Sequence, residues 1–217
     1  LESYKLLWHT VRTLKREAPH TLFFLIASAV FRDGLAGVFT FGAVLAKTAF
    51  GFSASDVMIF AIAANIVAGL ATVAFGWVDD KIGPKKVIVL SLSAMLVAGF
   101  GVFFLHSNGP IVFWTLGLVL CVFVGPTQSA SRSFLSRIIP AGREGEVFGL
   151  YATTGRAVSF MAPAMYGLFL MIGKRMTPAG ADYTYWGILG IMLILGFGLA
   201  LTIPVKADRA TLHHMEG

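Results

Sequence analysis

Gly76-Trp77-Val78-Asp79-Asp80-Lys81-Ile82-Gly83-Pro84-Lys85-Lys86 sets carboxylates and lysines side by side between stretches that are almost wholly apolar. Glycine and proline punctuate the charges, so the segment reads as a tight polar turn joining two long elements. Residues 56–78 lie on one side of it and 87–106 on the other. Each run has about the 20 residues that a helix needs to cross a hydrocarbon core of about 30 Å. A charged turn between two such runs decides for an all-α integral membrane protein.

Outward from the turn, residues 22–47, 110–133, 146–172 and 184–204 complete a set of six expected transmembrane helices. Charged residues are 13% of the chain and hydrophobic ones 57%, against about 25% and 45–50% in soluble domains. The bilayer is the implied solvent. A net charge of +6 would raise nucleic acid as a partner in a soluble protein, but here the basic residues gather between the apolar runs and read as orientation signals. Lys5, Arg12, Lys15, Arg16, Lys81, Lys85, Lys86, Arg132, Arg137, Arg143, Lys206 and Arg209 fall on one side, against Lys47, Lys174 and Arg175 on the other. That asymmetry places both termini and the charged turn in the cytoplasm, with a bacterial inner membrane as the expected location.

The first 18 residues differ in kind. Leu1, Tyr4, Leu7, Trp8, Val11 and Leu14 recur at helical spacing while most of the basic residues lie off that stripe, which predicts an amphipathic helix resting on the headgroup layer. The segment lacks the apolar core and small-residue cleavage site of a signal peptide. The expected organisation is a linker helix over 1–19, a six-helix domain over 20–205 and a cytoplasmic tail over 206–217. Cys121 stands alone in an apolar run, and the histidines fall at segment ends or tails. With no metal-ligand spacing, nucleophile-base ordering or phosphate loop, no enzyme activity, metal, cofactor or nucleic-acid partner is expected.

The order glycine, three residues, Asp80-Lys81, one residue, Gly83, one residue, Lys85-Lys86 matches the loop signature of the major facilitator superfamily (MFS) of secondary transporters, which the chain resembles over its whole length. The resemblance implies the C-terminal half of an MFS fold, built as 3+3 inverted repeats and partnered by an N-terminal six-helix half. It also implies that Gly76, Asp80, Lys81, Gly83, Lys85 and Lys86 form a conformational latch. Gly76 would let helices approach closely, Gly83 would permit the turn, and Asp80 would accept hydrogen bonds from a helix N-terminus or pair with a base. A narrower similarity rests on Gly125 through Ser133, Arg137-Ile138-Ile139-Pro140, Glu146 through Tyr151, Gly155-Arg156 and Arg32-Asp33-Gly34. These strings resemble the permease branch related to the fungal vacuolar amino-acid effluxer of autophagy.

An ionised side chain near the bilayer centre costs about 2.5–3.5 kcal/mol, so such residues mark protein-facing or water-lined positions. Arg32 and Asp33 fall in the first span, Asn65 in the second, Gln128 and Arg132 in the fourth and Arg156 in the fifth, while the third and sixth carry no Asp, Glu, Lys or Arg. In the superfamily the helices matching the first, second, fourth and fifth spans line the central cavity. Asn65, Gly69, Thr72 and Gly76 form one helical stripe; Gly117, Cys121, Gly125, Gln128 and Arg132 a second; Gly149, Thr153, Arg156, Ser159 and Pro163 a third. Small and polar stripes suit close helix packing as well as a solute path. Asp33 and Arg156 stand at comparable depth and are expected to pair. Arg32, adjacent to Asp33, points about 100° away and is expected to address a different neighbour. Gly125-Pro126 and Ala162-Pro163-Ala164 are expected kinks.

These readings converge on half of a secondary active transporter. It would move a small anionic or zwitterionic solute by alternating access, with Asp33 as the carrier of a coupling proton. The lipid bilayer, the solute and the other half are the expected partners, and the isolated chain is expected to self-associate through its uncovered polar face. The rival is a non-transporting membrane sensor or interaction module, or a homodimer in which two copies complete one bundle.

Overall fold

A computed structural model describes residues 10–16 and 18–206. Seven principal helices make six crossings: α1 (Pro19–Ala49), α2 (Ala54–Ile82), α3 (Pro84–Phe104), α4 (Pro110–Ile138), α5 (Glu144–Ala157), α6 (Met161–Met176) and α7 (Gly187–Thr202). All six crossings are long and apolar enough to traverse a membrane, the fifth being α5 and α6 together. The protein is an integral membrane protein of the expected class.

Local chemistry sets the ends. Pro19, Pro84 and Pro110 open their helices at positions where the missing N–H costs nothing. Ser53 caps α2 in a reciprocal box with Asp56, each side chain engaging the other residue's backbone N–H. The charged stretch is less of a loop than its composition implied: α2 runs through Asp79, Asp80 and Lys81 to Ile82, and Gly83 alone, at φ +86°, turns the chain into α3. Charge does not end a helix; a left-handed glycine followed by proline does. For the same reason α4 continues past residue 133 to Ile138.

α1 packs along α7, α3 along α4, α2 along α4, α5 and α6 against α1, and α3 against α7. Exchanging the first crossing with the fourth, the second with the fifth and the third with the sixth maps these neighbour pairs onto one another. Because that exchange shifts by three crossings it reverses direction, which is the relation between inverted repeats. No sequence similarity signalled it.

Phe24, Phe31 and Leu35 of α1, Ile88, Leu92 and Met95 of α3, Leu135 of α4 and Leu195 of α7 are fully buried and form the core. Helices α2 and α4 touch where Gly125 lies against Ala68 and Thr72, and α7 meets α6 where Gly190 lies on the Met165 backbone. A side chain at either glycine would force the helices apart. Gly76 behaves otherwise than expected, since a Cβ there would meet nothing within 4 Å. Helix α2 is the least covered, burying only Phe60, Ala64 and Ala68. Pro126 lies inside an unbroken α4, whereas the fifth crossing breaks between Ala157 and Met161, just ahead of Pro163. A proline at 163 cannot donate to the carbonyl of Ser159, which falls within that break.

The described part of the N-terminal segment does not rest on a headgroup surface alone. Residues 10–16 are helical, Leu14 is buried in the bundle, and Thr10 donates to Glu146 at the start of α5. Leu1, Tyr4, Leu7 and Trp8, with the tail beyond residue 206, lie outside the described residues.

Candidate functional site

Three clusters hold the polar residues at membrane depth. The first is an open groove walled by α1, α2 and α4, lined by Phe39, Asn65, Gly69, Thr72, Gln128 and Arg132. The fold thus brings Asn65 of the second crossing and Gln128 of the fourth to one groove. Helical hydrogen bonding leaves these walls polar yet satisfied: Asn65 donates to the Ala61 carbonyl and Thr72 to that of Ala68, each one turn back. The fourth-crossing stripe divides at Gly125. Gly117 and Cys121, deeper along α4, are buried and line a small apolar cavity with Phe60, Phe113 and Tyr166.

The second cluster centres on Arg32. Its Nη1 donates to the Tyr151 carbonyl at 2.8 Å, and its Cζ stands 3.8 Å from the centre of the Tyr151 ring. The Tyr151 hydroxyl and Ser131 Oγ share a buried hydrogen bond of 2.9 Å, which ties α5 to α4. A guanidinium stacked on an aromatic face and bonded to a helix carbonyl is fixed in position and direction.

The third cluster is Asp33, only 6% exposed, whose Oδ2 accepts the Ala162 backbone N–H at 2.6 Å. Ala162 is the second residue of α6, so this carboxylate meets the positive end of a half-helix inside the bundle. The expected Asp33–Arg156 pair is not formed. Arg156 is exposed in the last turn of α5, and its guanidinium makes no hydrogen bond or ion pair among the described residues. Arg32 and Asp33 address different helices, α5 and α6, but both belong to the fifth crossing. Because that crossing is broken, its two pieces offer a carbonyl-bearing surface to the cation and an uncapped N–H to the anion, about 100° apart around α1. Gly149, Thr153, Arg156, Ser159 and Pro163 are all exposed, so the fifth-crossing stripe is left uncovered among the described residues.

At the charged turn the acid with a basic neighbour is Asp79 rather than Asp80. Asp79 lies seven residues from Thr72 on the α4-facing side of α2 and stands 3.9 Å from Arg137 at the end of α4. Continuation of the helix turns Asp80 outward, where it is exposed and makes no hydrogen bond or ion pair among the described residues. Lys85 donates to the carbonyls of Ile203 and Val205 at 2.6 and 2.7 Å, closing the end of α7, while Lys81 and Lys86 are exposed. Tyr151 and Ser131 were not singled out from sequence as site residues. The available signal was Tyr151 and Gly155 at helical spacing, which set an aromatic ring beside bare backbone on one face of α5.

A profile of the family described as "Vacuole effluxer Atg22 like" matches residues 1–212. The uncharacterized MFS-type transporter YxiO of Bacillus subtilis is 20% identical over 194 residues, covering 89% of this chain and 44% of that protein. Autophagy-related protein 22-1 of Aspergillus fumigatus is 27% identical over 221 residues, 95% of this chain and 35% of its own length. The probable nitrate/nitrite transporter NarK2 of Mycobacterium tuberculosis is 26% identical over 154 residues, 70% of this chain and 36% of its own. The chain therefore spans less than half the length of each of these relatives.

Proposed function

The chain belongs to the Atg22-like vacuole effluxer family, and from that premise we propose that it is the C-terminal half of a secondary active transporter. The observation that carries the reading is the polar groove between α1, α2 and α4, which six helices leave open at membrane depth. An uncovered polar surface of this kind is unfavourable against lipid and is covered either by protein or by water in a solute path. An N-terminal six-helix half would close it. Arg32, Asp33, Asn65, Gln128 and Arg156 are the proposed pathway residues, with a small anionic or zwitterionic solute held near the midplane between the halves. One relative, a probable nitrate/nitrite transporter, supports an anionic solute.

Alternating access would rock one half against the other across the exposed faces of α2 and the fifth crossing, the two least covered crossings. Asp33 is the one acid of the first crossing and is proposed to take the coupling proton. The charged turn would sit on the cytoplasmic side, with residues 1–19 as linker and 206–217 as tail. In the revised latch, Asp79 and Arg137 hold α2 to α4 while Asp80, Lys81 and Lys86 point outward to meet the other half.

The test is counterflow in proteoliposomes, with radiolabelled amino acids and nitrate as probes. The protein joining this chain to its N-terminal half is expected to show saturable exchange, and the chain alone to be inert. Saturable exchange by the chain alone would remove the need for a second half. A two-half protein that binds a solute yet never exchanges it would favour the sensor reading.

A further inference from the structure

Resting on the transporter reading above, we infer that Arg32 is the docking point for a flat anionic group of the solute, a carboxylate or nitrate, and that Tyr151 and Gly155 position its guanidinium for that contact.

The guanidinium is fixed before a solute arrives. The Tyr151 carbonyl takes one N–H, the Tyr151 ring supports the fork, and the ring is itself held by Ser131. Tyr151 and Ser131 are 5% and 0% exposed, so this support belongs to the packed core. Gly155 completes the seat: a Cβ there would stand 3.1 Å from both terminal nitrogens of Arg32 and 3.2 Å from Cζ. Only bare backbone lets the fork lie so close to α5. No other hydrogen bond to the Arg32 guanidinium occurs among the described residues, so most of its donors remain to be used.

Arg32 lies outside the lining of the polar groove but on a stripe of α1 that runs to it. Arg32 is half-buried, and the residues on its stripe of α1, Ala36, Phe39 and Ala43, are exposed, with Phe39 forming part of the groove wall. Ser131 lies three residues beyond Gln128 on α4, another wall residue. A solute reaching from the groove along that stripe of α1 would meet a positioned, half-buried guanidinium, where charge-assisted bonds are stronger than in water.

Geometry and charge narrow the class. Parallel N–H bonds of one fork fit a planar anion with two oxygens. A tetrahedral dianion needs a second fixed cation, and neither Arg132 nor Arg156 has a partner among the described residues to fix it. Either would lose rotamer freedom on joining the ligand, a cost that Arg32 does not incur.

The experiment uses the purified two-half protein in nanodiscs and reads binding by tryptophan fluorescence and calorimetry. Leucine, glutamate, lactate, nitrate, phosphate and choline are the probes. At least one carboxylate or nitrate is expected to bind, and the ranking between them identifies the source of the flat anion. Arg32→Lys keeps the charge but loses the fork, and is expected to weaken binding about ten- to a hundredfold. Gly155→Ala keeps the arginine but shifts its guanidinium, with an expected loss of about tenfold. Lys174→Gln, at the far end of α6, controls for net charge and is expected to bind as wild type. Circular dichroism and melting without ligand separate loss of fold from loss of site, and Gly155→Ala keeps the test decisive if Arg32→Lys does not fold.

Unchanged affinity in both Arg32→Lys and Gly155→Ala overturns the inference, as does loss of binding in Arg156→Gln alone, or wild-type protein that binds phosphate or choline in preference to every flat anion. Counterflow on the same samples keeps the two readings apart. Exchange that persists at wild-type affinity in Arg32→Lys removes the docking role and leaves the transporter, whereas wild-type protein without exchange of any solute removes the transporter itself.

Discussion

Replacing Lys85 by methionine should loosen the end of α7 while leaving the charged turn intact. Lys85 Nζ donates to the carbonyls of Ile203 and Val205 at 2.6 and 2.7 Å, and these carbonyls lie at and just past the last turn of α7. A hydrogen bond to a charged group contributes about 1.5–3 kcal/mol where well shielded. Here the ammonium is half-exposed, so the two bonds are discounted towards the surface value and the helix-end charge adds about 0.3–1 kcal/mol. The expected cost of Lys85→Met is therefore about 1.5–3 kcal/mol in all. Methionine preserves the length and apolar stem, which keeps packing loss out of the number. Lys86→Met, one residue on and exposed without a hydrogen-bond partner, should cost less than about 0.5 kcal/mol. Reversible unfolding in mixed micelles with increasing denaturing detergent measures both. Hydrogen exchange of the last turn of α7 localises the effect, and Lys85→Arg should retain at least part of it. Equal stability of the two methionine variants, or unchanged protection of the amides of residues 199–203, would refute the reasoning. It would also return Lys85 to the group of outward-facing latch residues.

Asp33→Ala should be less stable than Asp33→Asn by about 1–3 kcal/mol, because asparagine retains an acceptor for the Ala162 N–H and alanine leaves that donor unpaired in the bundle. Unfolding of the two variants side by side decides it, and equal stability would show that the bond to α6 contributes nothing. Gly125→Ala should destabilise by about 1–3 kcal/mol, since its Cβ would press on Thr72 and the Ala68 carbonyl. Gly149→Ala, inside α5 with nothing within 4 Å, should be neutral or up to about 1 kcal/mol more stable. The same unfolding assay, with the opposite ranking, would reject the close α2–α4 contact.

The number and order of the crossings were legible because run length and charge spacing are local properties of the chain. Their ends were less so. Residues 79–81 look like a loop by charge, yet α2 absorbs them, because a helix end in the interfacial zone tolerates charge and stops at Gly83. Stripes predicted the groove correctly where two helices turn the same face to one space, as with Asn65 and Gln128. They failed where depth alone was used as a guide to contact: Asp33 and Arg156 share a level, but level says nothing about azimuth. The role of Tyr151 was hidden because a tyrosine in a crossing reads as core or interface by composition, and only the position of α1 against α5 reveals that its ring and carbonyl seat an arginine.

The adjacency of Arg32 and Asp33 acquires its meaning from the break in the fifth crossing. On a continuous helix the neighbour of α1 would present no free N–H, and a buried aspartate there would need an arginine, which is what the sequence suggested. Pro163 cannot donate to the Ser159 carbonyl and the Ala162 N–H is taken by Asp33, so α6 starts with its own positive end inside the protein. Asp33 meets that end, and Arg32 holds the piece before it. One dipeptide of α1 thus engages both sides of the break in the fifth crossing. In the proposed site a solute that takes the remaining Arg32 donors binds a cation already tied to the Tyr151 carbonyl, so occupancy of the site would be coupled to the fifth crossing through a single side chain. Under the proposed alternating access, that coupling gives a ligand the differential interaction with two conformations that any ligand-driven change requires.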